Sequence, residues 1–347
     1  MKYKKIAFGG LVVLLFSAIA CEKDRLDILP QEEKGVELNT EISIEGISLN
    51  SEFGFLEFEN EKTYRKTMTA LEENQNIMGY FESHFVGFTS QAQAFEEIDT
   101  EEEFKEVLNN PENHSFKNFL RLAPDEGSND LEARRVVESP RLARIVSENG
   151  LLKVGGLIQK MAPKRILSAK NPTRSQIQEM INWDGEVSLS FGEVEAIHLS
   201  KIPRIQDECR TSYNGGRRGR TLFRVVGEQF ENDRNVGGTR TIDWIVRTKH
   251  QRRFGGVWWP SNNADVRILA DDEYRMGNTG AFIPFTIDTT NPGASQVEDE
   301  TELCGADNGT PPCFILDVNW RGGSAIADHI ADPTGGEPNV ACRTEAD

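Results

Sequence analysis

Catalytic signatures are scarce in this chain. Only five histidines occur, His84, His114, His198, His250 and His329. None stands in the H-E-x-x-H spacing that places two imidazoles and a general base on one helix face, which argues against a zincin metalloprotease. No G-x-S-x-G elbow is present, since Gly322-Gly323-Ser324 is not followed by the glycine that a sharp strand-to-helix turn needs. Gly215-Gly216-Arg217-Arg218-Gly219 lacks the Lys-Ser/Thr that would hold phosphate and metal, so it is not a P-loop. Cysteine is also sparse, five in 347 residues with no C-x2-C pair, and a four-cysteine zinc site therefore has no knuckle to build on. Positive charge is short: 39 Lys and Arg against 56 Asp and Glu leave a net charge of −17, and no nucleic-acid partner is expected. Beyond the first twenty residues no apolar run is long enough to span a bilayer.

The first twenty residues are different. Lys2, Lys4 and Lys5 precede an apolar stretch from Ile6 to Phe16, and the mostly small Ser17-Ala18-Ile19-Ala20 precedes Cys21. That order is the one expected of a signal peptide over residues 1–20. A cysteine directly after a small residue resembles the lipobox of bacterial lipoproteins, with Ala18 where Leu is commonest. The resemblance implies that Cys21 is lipidated and holds the protein on a membrane, in the cell envelope and at the outer membrane, through its acyl chains. Glu22-Lys23-Asp24 is similar to the short signals of surface-exported lipoproteins of Bacteroidota, and the opposite, periplasmic face is the alternative. Residues 21–45 are polar and suit a tether.

Setting Cys21 aside leaves Cys209, Cys304, Cys313 and Cys342, an even number suited to an oxidising compartment. Two disulfides have three possible connectivities. Cys304 and Cys313 bracket a loop with Gly305, Asn308, Gly309, Pro311 and Pro312, which favours a local bridge and leaves Cys209 for Cys342.

Charge is distributed in blocks. Residues 22–120 carry 8 basic and 23 acidic side chains, 121–260 carry 24 and 17, and 261–347 carry 4 and 16. Surface ion pairs between the basic middle and the acidic flanks are the simplest expectation.

Residues 46–150 read as a mainly helical region. Asn60 can cap a helix with Tyr64, Met68 and Leu71 on one face, and Ile77, Phe81, Phe85 and Phe88 continue the spacing. Thr100 and Glu103 form a capping box ahead of Phe104, Val107 and Leu108. Ser139-Pro140 opens another helix that should run to Asn149-Gly150. From 151 to 347 the texture is that of strands. Leu151–Val154 and Leu157–Met161 read as a hairpin, and runs follow at Val187–Phe191, Thr221–Val226, Thr239–Thr248, Arg253–Trp259, Asp265–Ala270, Ala281–Ile287 and Cys313–Val318. No long helical pattern separates these runs, so antiparallel pairing is expected rather than βαβ crossovers. The fold class predicted is α+β, a helical N-terminal part followed by an antiparallel β-rich, sandwich-like part.

Three blocks resemble a pattern in uncharacterised cell-envelope lipoproteins of Bacteroidota. They are Gly54 to Tyr64, the stretch from Ser139 through Asn149-Gly150 to Gly155, and Gly238-Thr239-Arg240-Thr241 with Trp258-Trp259 and Ala264-Asp265 downstream. The resemblance implies a shared fold and offers no catalytic residues to carry over. Gly156 stands where those proteins more often have Asp.

The sharpest local chemistry is arginine. Arg210, Arg217, Arg218, Arg220 and Arg224 surround Asn214-Gly215-Gly216, and Arg234, Arg240, Arg247, Arg252 and Arg253 follow on later strands. Guanidinium forks grip carboxylate and sulfate at two points, as lysine does not. Behind a lipoprotein signal the ligand expected is an anionic glycan, with an envelope protein as the other partner. Arg217, Arg218, Arg220, Arg224, Trp258 and Trp259 are the ligand-binding candidates. Trp258 and Trp259 are neighbours on a strand and point to opposite faces, so only one is expected in the core. Asp271-Asp272-Glu273 and Asp307-Asn308-Gly309 offer oxygen ligands for Ca²⁺ without the EF-hand spacing, and no cofactor is otherwise expected. Asp328-His329 is the one adjacent acid–imidazole pair. The function expected is therefore non-enzymatic, binding or structural, at the outer membrane surface. The alternative is a secreted glycan or peptide hydrolase with dispersed carboxylates.

Overall fold

The structure, a computed structural model, describes residues 42–73, 79–110, 114–125, 128–163, 165–185, 195–197, 204–215, 220–236, 239–276, 281–304, 318–334 and 337–346. All lie in the unit Thr40–Asp347. The chain begins with β1 (Ile47–Asn50) and β2 (Phe55–Phe58). Five short helices follow: α1 (Glu61–Glu73), α2 (Tyr80–His84), α3 (Gln91–Glu96), α4 (Glu101–Asn109) and α5 (His114–Lys117). After β3 (Leu120–Pro124) and β4 (Leu131–Arg135) comes one turn of helix, α6 (Pro140–Ala143). Then come β5 (Leu151–Val154), β6 (Leu157–Met161), β7 (Ile166–Lys170), α7 (Arg174–Asn182) and β8 (Glu195–Ile197). The long strands follow: β9 (Arg204–Gly215), β10 (Thr221–Val236), β11 (Thr239–Phe254), β12 (Val257–Pro260) and β13 (Ala264–Met276). The last are β14 (Ile283–Asn291), β15 (Gln296–Cys304), β16 (Val318–Trp320), β17 (Ala325–Pro333) and β18 (Val340–Ala346).

These strands form three sheets. The first has the order β1-β2-β5-β6-β7-β8 and is antiparallel except where β2 meets β5. The central sheet runs β3-β4-β12-β11-β10-β9, with β15 also on β11 and one parallel contact between β12 and β4. The third, β14-β13-β17-β18 with β16 on β13, is antiparallel throughout. It packs on the central sheet: Val225, Trp244 and Val246 share one apolar cluster with Val266, Ile268, Ala327 and Val340. Cys209 on β9 is bonded to Cys342 on β18, 133 residues away, with Cα atoms 5.8 Å apart. Gly227 on β10 is required at this interface, because a Cβ there would lie 2.1 Å from Cδ2 of His329 on β17.

The expectation of a helical N-terminal part is corrected. Residues 46–150 supply four strands as well as helices of 4 to 13 residues, and β4 enters the central sheet beside β12. The protein is mostly β-sheet. Individual helix starts are nonetheless where the sequence places them. Asn60 Oδ1 accepts from the Thr63 amide at 3.0 Å, and Tyr64, Met68 and Leu71 are buried in the core of the first sheet. Thr100 and Glu103 form the reciprocal cap of α4. The helix expected from Ser139 to Asn149 stops after one turn. Its continuation pairs with another segment instead, through Gln91 N to Val146 O at 2.9 Å and Glu148 N to Thr89 O at 2.8 Å. The 151–161 hairpin pairs Leu151 with Lys160 and Val154 with Leu157.

Candidate functional site

The arginine-rich stretch does not assemble into an exposed patch among the described residues. Arg217 and Arg218 lie outside them, as do Cys21, Cys313 and the Asp307-Asn308-Gly309 loop. Arg220 is exposed. Arg224 is buried: its guanidinium donates to Asp125 at 2.9 and 3.0 Å and stacks 4.2 Å over the Trp258 ring. Trp259 is fully buried, stacked on Phe104 at 4.4 Å, and its indole N–H donates to the Phe254 carbonyl at 3.1 Å. Both tryptophans are therefore covered, which corrects the expectation that only one would be. Alternation does send them to opposite faces of β12, but the sheet is covered on both.

The cover on one face is ionic. Strand pairing sets Glu208, Glu228, Arg247 and Glu298 in one row across β9, β10, β11 and β15. Arg247 donates to Glu138 at 2.8 Å, reaches Glu228 at 3.3 Å and pairs with Glu298. Lys249, next on that face, holds Glu228 at 2.6 Å and also pairs with Glu132, while Arg134 meets Glu132 at 2.7 Å. Arg141 reaches Asp243 at 2.9 Å and Glu300 at 3.3 Å. Burial opposes ionisation of Glu132, yet Lys249, Arg134 and Arg224 together hold its carboxyl well below the usual range. The same contest holds Glu138 low, through Arg247, Arg121 and Arg134. The pairs expected on the surface are thus largely inside. They engage most of these acids and bases with one another and leave few groups to recognise a ligand.

Two other sequence candidates are likewise engaged. Asp328 on β17 faces Arg343 at 2.7 Å, whereas the adjacent His329 points inward between Thr248 Oγ1 and Thr344 Oγ1, each at 2.8 Å. In the Asp271-Asp272-Glu273 run, Thr286 donates to Asp271, the Ile326 amide donates to Asp272 at 2.7 Å, and Arg321 pairs with Glu273. Among the described residues no three His, Cys, Asp or Glu side chains cluster to hold a metal ion.

A different site emerges beside the 151–161 hairpin. A cavity of about 310 Å³ opens between the α5–β3 segment, β6 and the end of α7. Phe116, Leu122, Met161 and Trp183 give it apolar walls, and its charged lining is Lys117, Arg121 and Lys160 against a single carboxylate, Asp184. Lys160 is only 1% exposed. Its Nζ donates to Asn118 Oδ1 and to the Asn149 carbonyl, both at 2.6 Å. Gly150, at φ +75°, makes this possible, because a Cβ there would stand 2.9 Å from that nitrogen. Burial pushes the Lys160 amine down to about 7, and the charge of Lys117 adds to the shift. Two further donors, Nδ2 of Asn118 and Nε of Arg121, are buried without a hydrogen-bond partner. Buried donors are ordinarily satisfied, and both residues line the cavity, so a ligand that brings acceptor oxygens suits them once a small side-chain shift uncovers these atoms. Sequence reading passed over this site. Its members are one residue each from a helix end, two strands and a turn, and only the Asn149-Gly150 turn was visible as a signal.

A second cavity, about 290 Å³, is lined by Gln93, Glu96, Asn262 and Asn291 with Arg135 and Glu298. Burial raises the Glu96 carboxyl to about 7, although it accepts from Ser295 Oγ at 2.7 Å.

Comparison with known proteins adds little to this geometry. No protein-family model matches the chain, and no curated protein matches it. Among solved structures it aligns with a DUF4848 family protein from Bacteroides thetaiotaomicron, at 12% identity over 86% of this chain and 99% of that one. The TM-score is 0.24. A likeness of that size assigns neither fold nor function.

Proposed function

We propose that the protein is a lipid-anchored component of the cell envelope, attached at Cys21 to the outer membrane, that binds an anionic glycan without transforming it. The cavity beside Lys160 is the recognition site in this reading. The observation that carries it is the pair of buried donors without partners, Asn118 Nδ2 and Arg121 Nε, in a lining that sets Lys117, Arg121 and the Lys160 amine against one carboxylate. A carboxylate or sulfate on a sugar satisfies both donors, and the apolar face of the ring meets walls such as Trp183. Arg220, exposed, and the neighbouring Arg217 and Arg218 serve at most to steer acidic chains by long-range attraction. The N-terminal lysines, apolar stretch and Cys21 support the anchor and the envelope location.

The test is a panel of acidic and neutral glycans against the full chain at two salt concentrations. Acidic members should bind, Arg121→Met should abolish most of that binding, and Arg220→Ala should change only its salt dependence. Equal binding of neutral and acidic members would overturn the reading. Palmitate labelling lost in Cys21→Ser tests the anchor.

A hydrolytic reading has one specific observation behind it. In the second cavity Glu96, held protonated towards neutrality, shares the space with Glu298, a carboxylate paired with Arg135 at 2.7 Å. Two carboxyl groups in one cavity, one of them raised by burial, is the arrangement used in glycoside hydrolysis. Release of reducing ends by the wild type but not by Glu96→Gln would favour it.

A further inference from the structure

The binding reading uses the cavity's guanidinium and amide donors but has no need of an amine that loses its proton near neutrality. Lys160 lines the cavity and is fixed by two acceptors, Asn118 Oδ1 and Asn149 O. A neutral amine has two N–H bonds and one lone pair. With both hydrogens given to those oxygens, the lone pair is the group left for chemistry. Asn118 offers Oδ1 to the Lys160 nitrogen at 2.6 Å, and the amide nitrogen of the same side chain, Nδ2, is buried without a partner. A carboxylate seated on Nδ2 and on Arg121 Nε is thereby placed next to a nucleophile.

We propose that Lys160 is a carbonyl-reactive amine, which condenses with an acidic carbonyl compound whose carboxylate rests on Asn118 and Arg121. The shared chemistry is a carbonyl carbon in the same small molecule as a carboxylate, one bond away in 2-oxo acids and five in the open-chain aldehyde of a uronic acid. The Lys160 lone pair adds to the carbonyl carbon, and one proton passes from nitrogen to the former carbonyl oxygen. A second nitrogen proton leaves with that oxygen as water, and the C=N bond forms. One amine and one carbonyl thus give one imine and one water, with no oxidant or reductant consumed. Burial that disfavours the ammonium form keeps a large share of the amine reactive at pH 7.

This inference rests on the cavity assigned above, and its test separates the two. The full chain is incubated at pH 7 with pyruvate, glucuronate or acetone in the presence of cyanoborohydride, which reduces imines to stable amines, and the modified lysines are located by peptide mass spectrometry. Pyruvate or glucuronate should label Lys160 about ten-fold faster than any exposed lysine, and acetone, which lacks the carboxylate, about ten-fold slower than pyruvate. Labelling by pyruvate alone assigns the site to 2-oxo acids, and labelling by glucuronate alone assigns it to sugar aldehydes. Arg121→Met should slow labelling by the acids far more than labelling by acetone, so that the ratio of the two rates falls, a readout that does not depend on a Lys160 variant folding. Labelling of Lys160 no faster than that of exposed lysines, or equally by acetone and pyruvate, overturns the proposal. Calorimetric binding of glucuronate without reductant, combined with no label at Lys160, overturns this inference alone. Neither binding nor label overturns both.

Discussion

The two faces of the central sheet are built from alternate residues of the same strands, and they are held together by opposite kinds of force. On β11, Trp244, Val246, Thr248 and His250 turn to one side, while Asp243, Ile245, Arg247 and Lys249 turn to the other. The first set packs against the third sheet, with Trp244 edge-on to Trp320 at 5.0 Å. The second set meets cross-strand carboxylates of β15 and is closed over by side chains of β4 and the loop after it, in a web of ion pairs. Burying apolar surface stabilises at every contact, whereas a buried ion pair must first offset the desolvation of two charges. The apolar face therefore supplies cohesion. The ionic face supplies register, since sliding β10, β11 or β15 by one residue would bury charges against nothing.

The largest effect should come from breaking the ionic face at its centre. Arg247→Met leaves Glu138, Glu228 and Glu298 buried short of a partner, and should cost about 3–5 kcal/mol in urea unfolding. A loss below about 1 kcal/mol would mean that the face is hydrated and weak. The apolar face has its own signature in pH. Burial depresses the His329 imidazole from 6.5 to about 4, so the native state resists protonation that the unfolded chain accepts. Its contribution is complete above about pH 6.5 and is lost as pH falls towards 4, a change of about 3 kcal/mol. The ionic carboxylates, whose values are lowered, hold until pH falls below their ordinary 4.5. Subtracting the pH–stability curve of His329→Gln from that of the wild type should isolate a slope between pH 6.5 and 4. A flat difference would show that the imidazole is not sealed between the sheets. The smallest effect belongs to exposed pairs. Arg267 and Asp288 meet at 2.8 Å but are 42% and 60% exposed, and Arg267→Ala should cost less than about 1 kcal/mol.

The same contrast explains what could be read from the sequence. Capping chemistry is local, so Asn60, the Thr100–Glu103 box and the 151–161 hairpin were legible. So was the pairing of Cys209 with Cys342 as one of three connectivities. The class of the N-terminal part was not, because strands of four or five residues such as β1 and β4 leave too short an alternation to register. The run Thr239–Thr248 was legible as a strand, but its arginine and aspartate carry no sign of how they are covered. Both faces are covered, and neither arginine counts nor alternation reveal that a charge has a buried partner far along the chain, as Arg135 has in Glu298. Of the arginines singled out as ligand-binding candidates, Arg224 is drawn into that web, and so is Arg247 from the later strands. The cavity beside Lys160 was hidden for the complementary reason: its donors are ordinary residues, and only their convergence marks it.

A crystal soaked with glucuronate shows whether the cavity beside Lys160 takes an acidic sugar. The sugar carboxylate should lie within hydrogen-bonding distance of Asn118 Nδ2 and Arg121 Nε, with the ring against Trp183. Glucuronate found elsewhere on the surface, or an empty cavity at a concentration that saturates binding in solution, would contradict it.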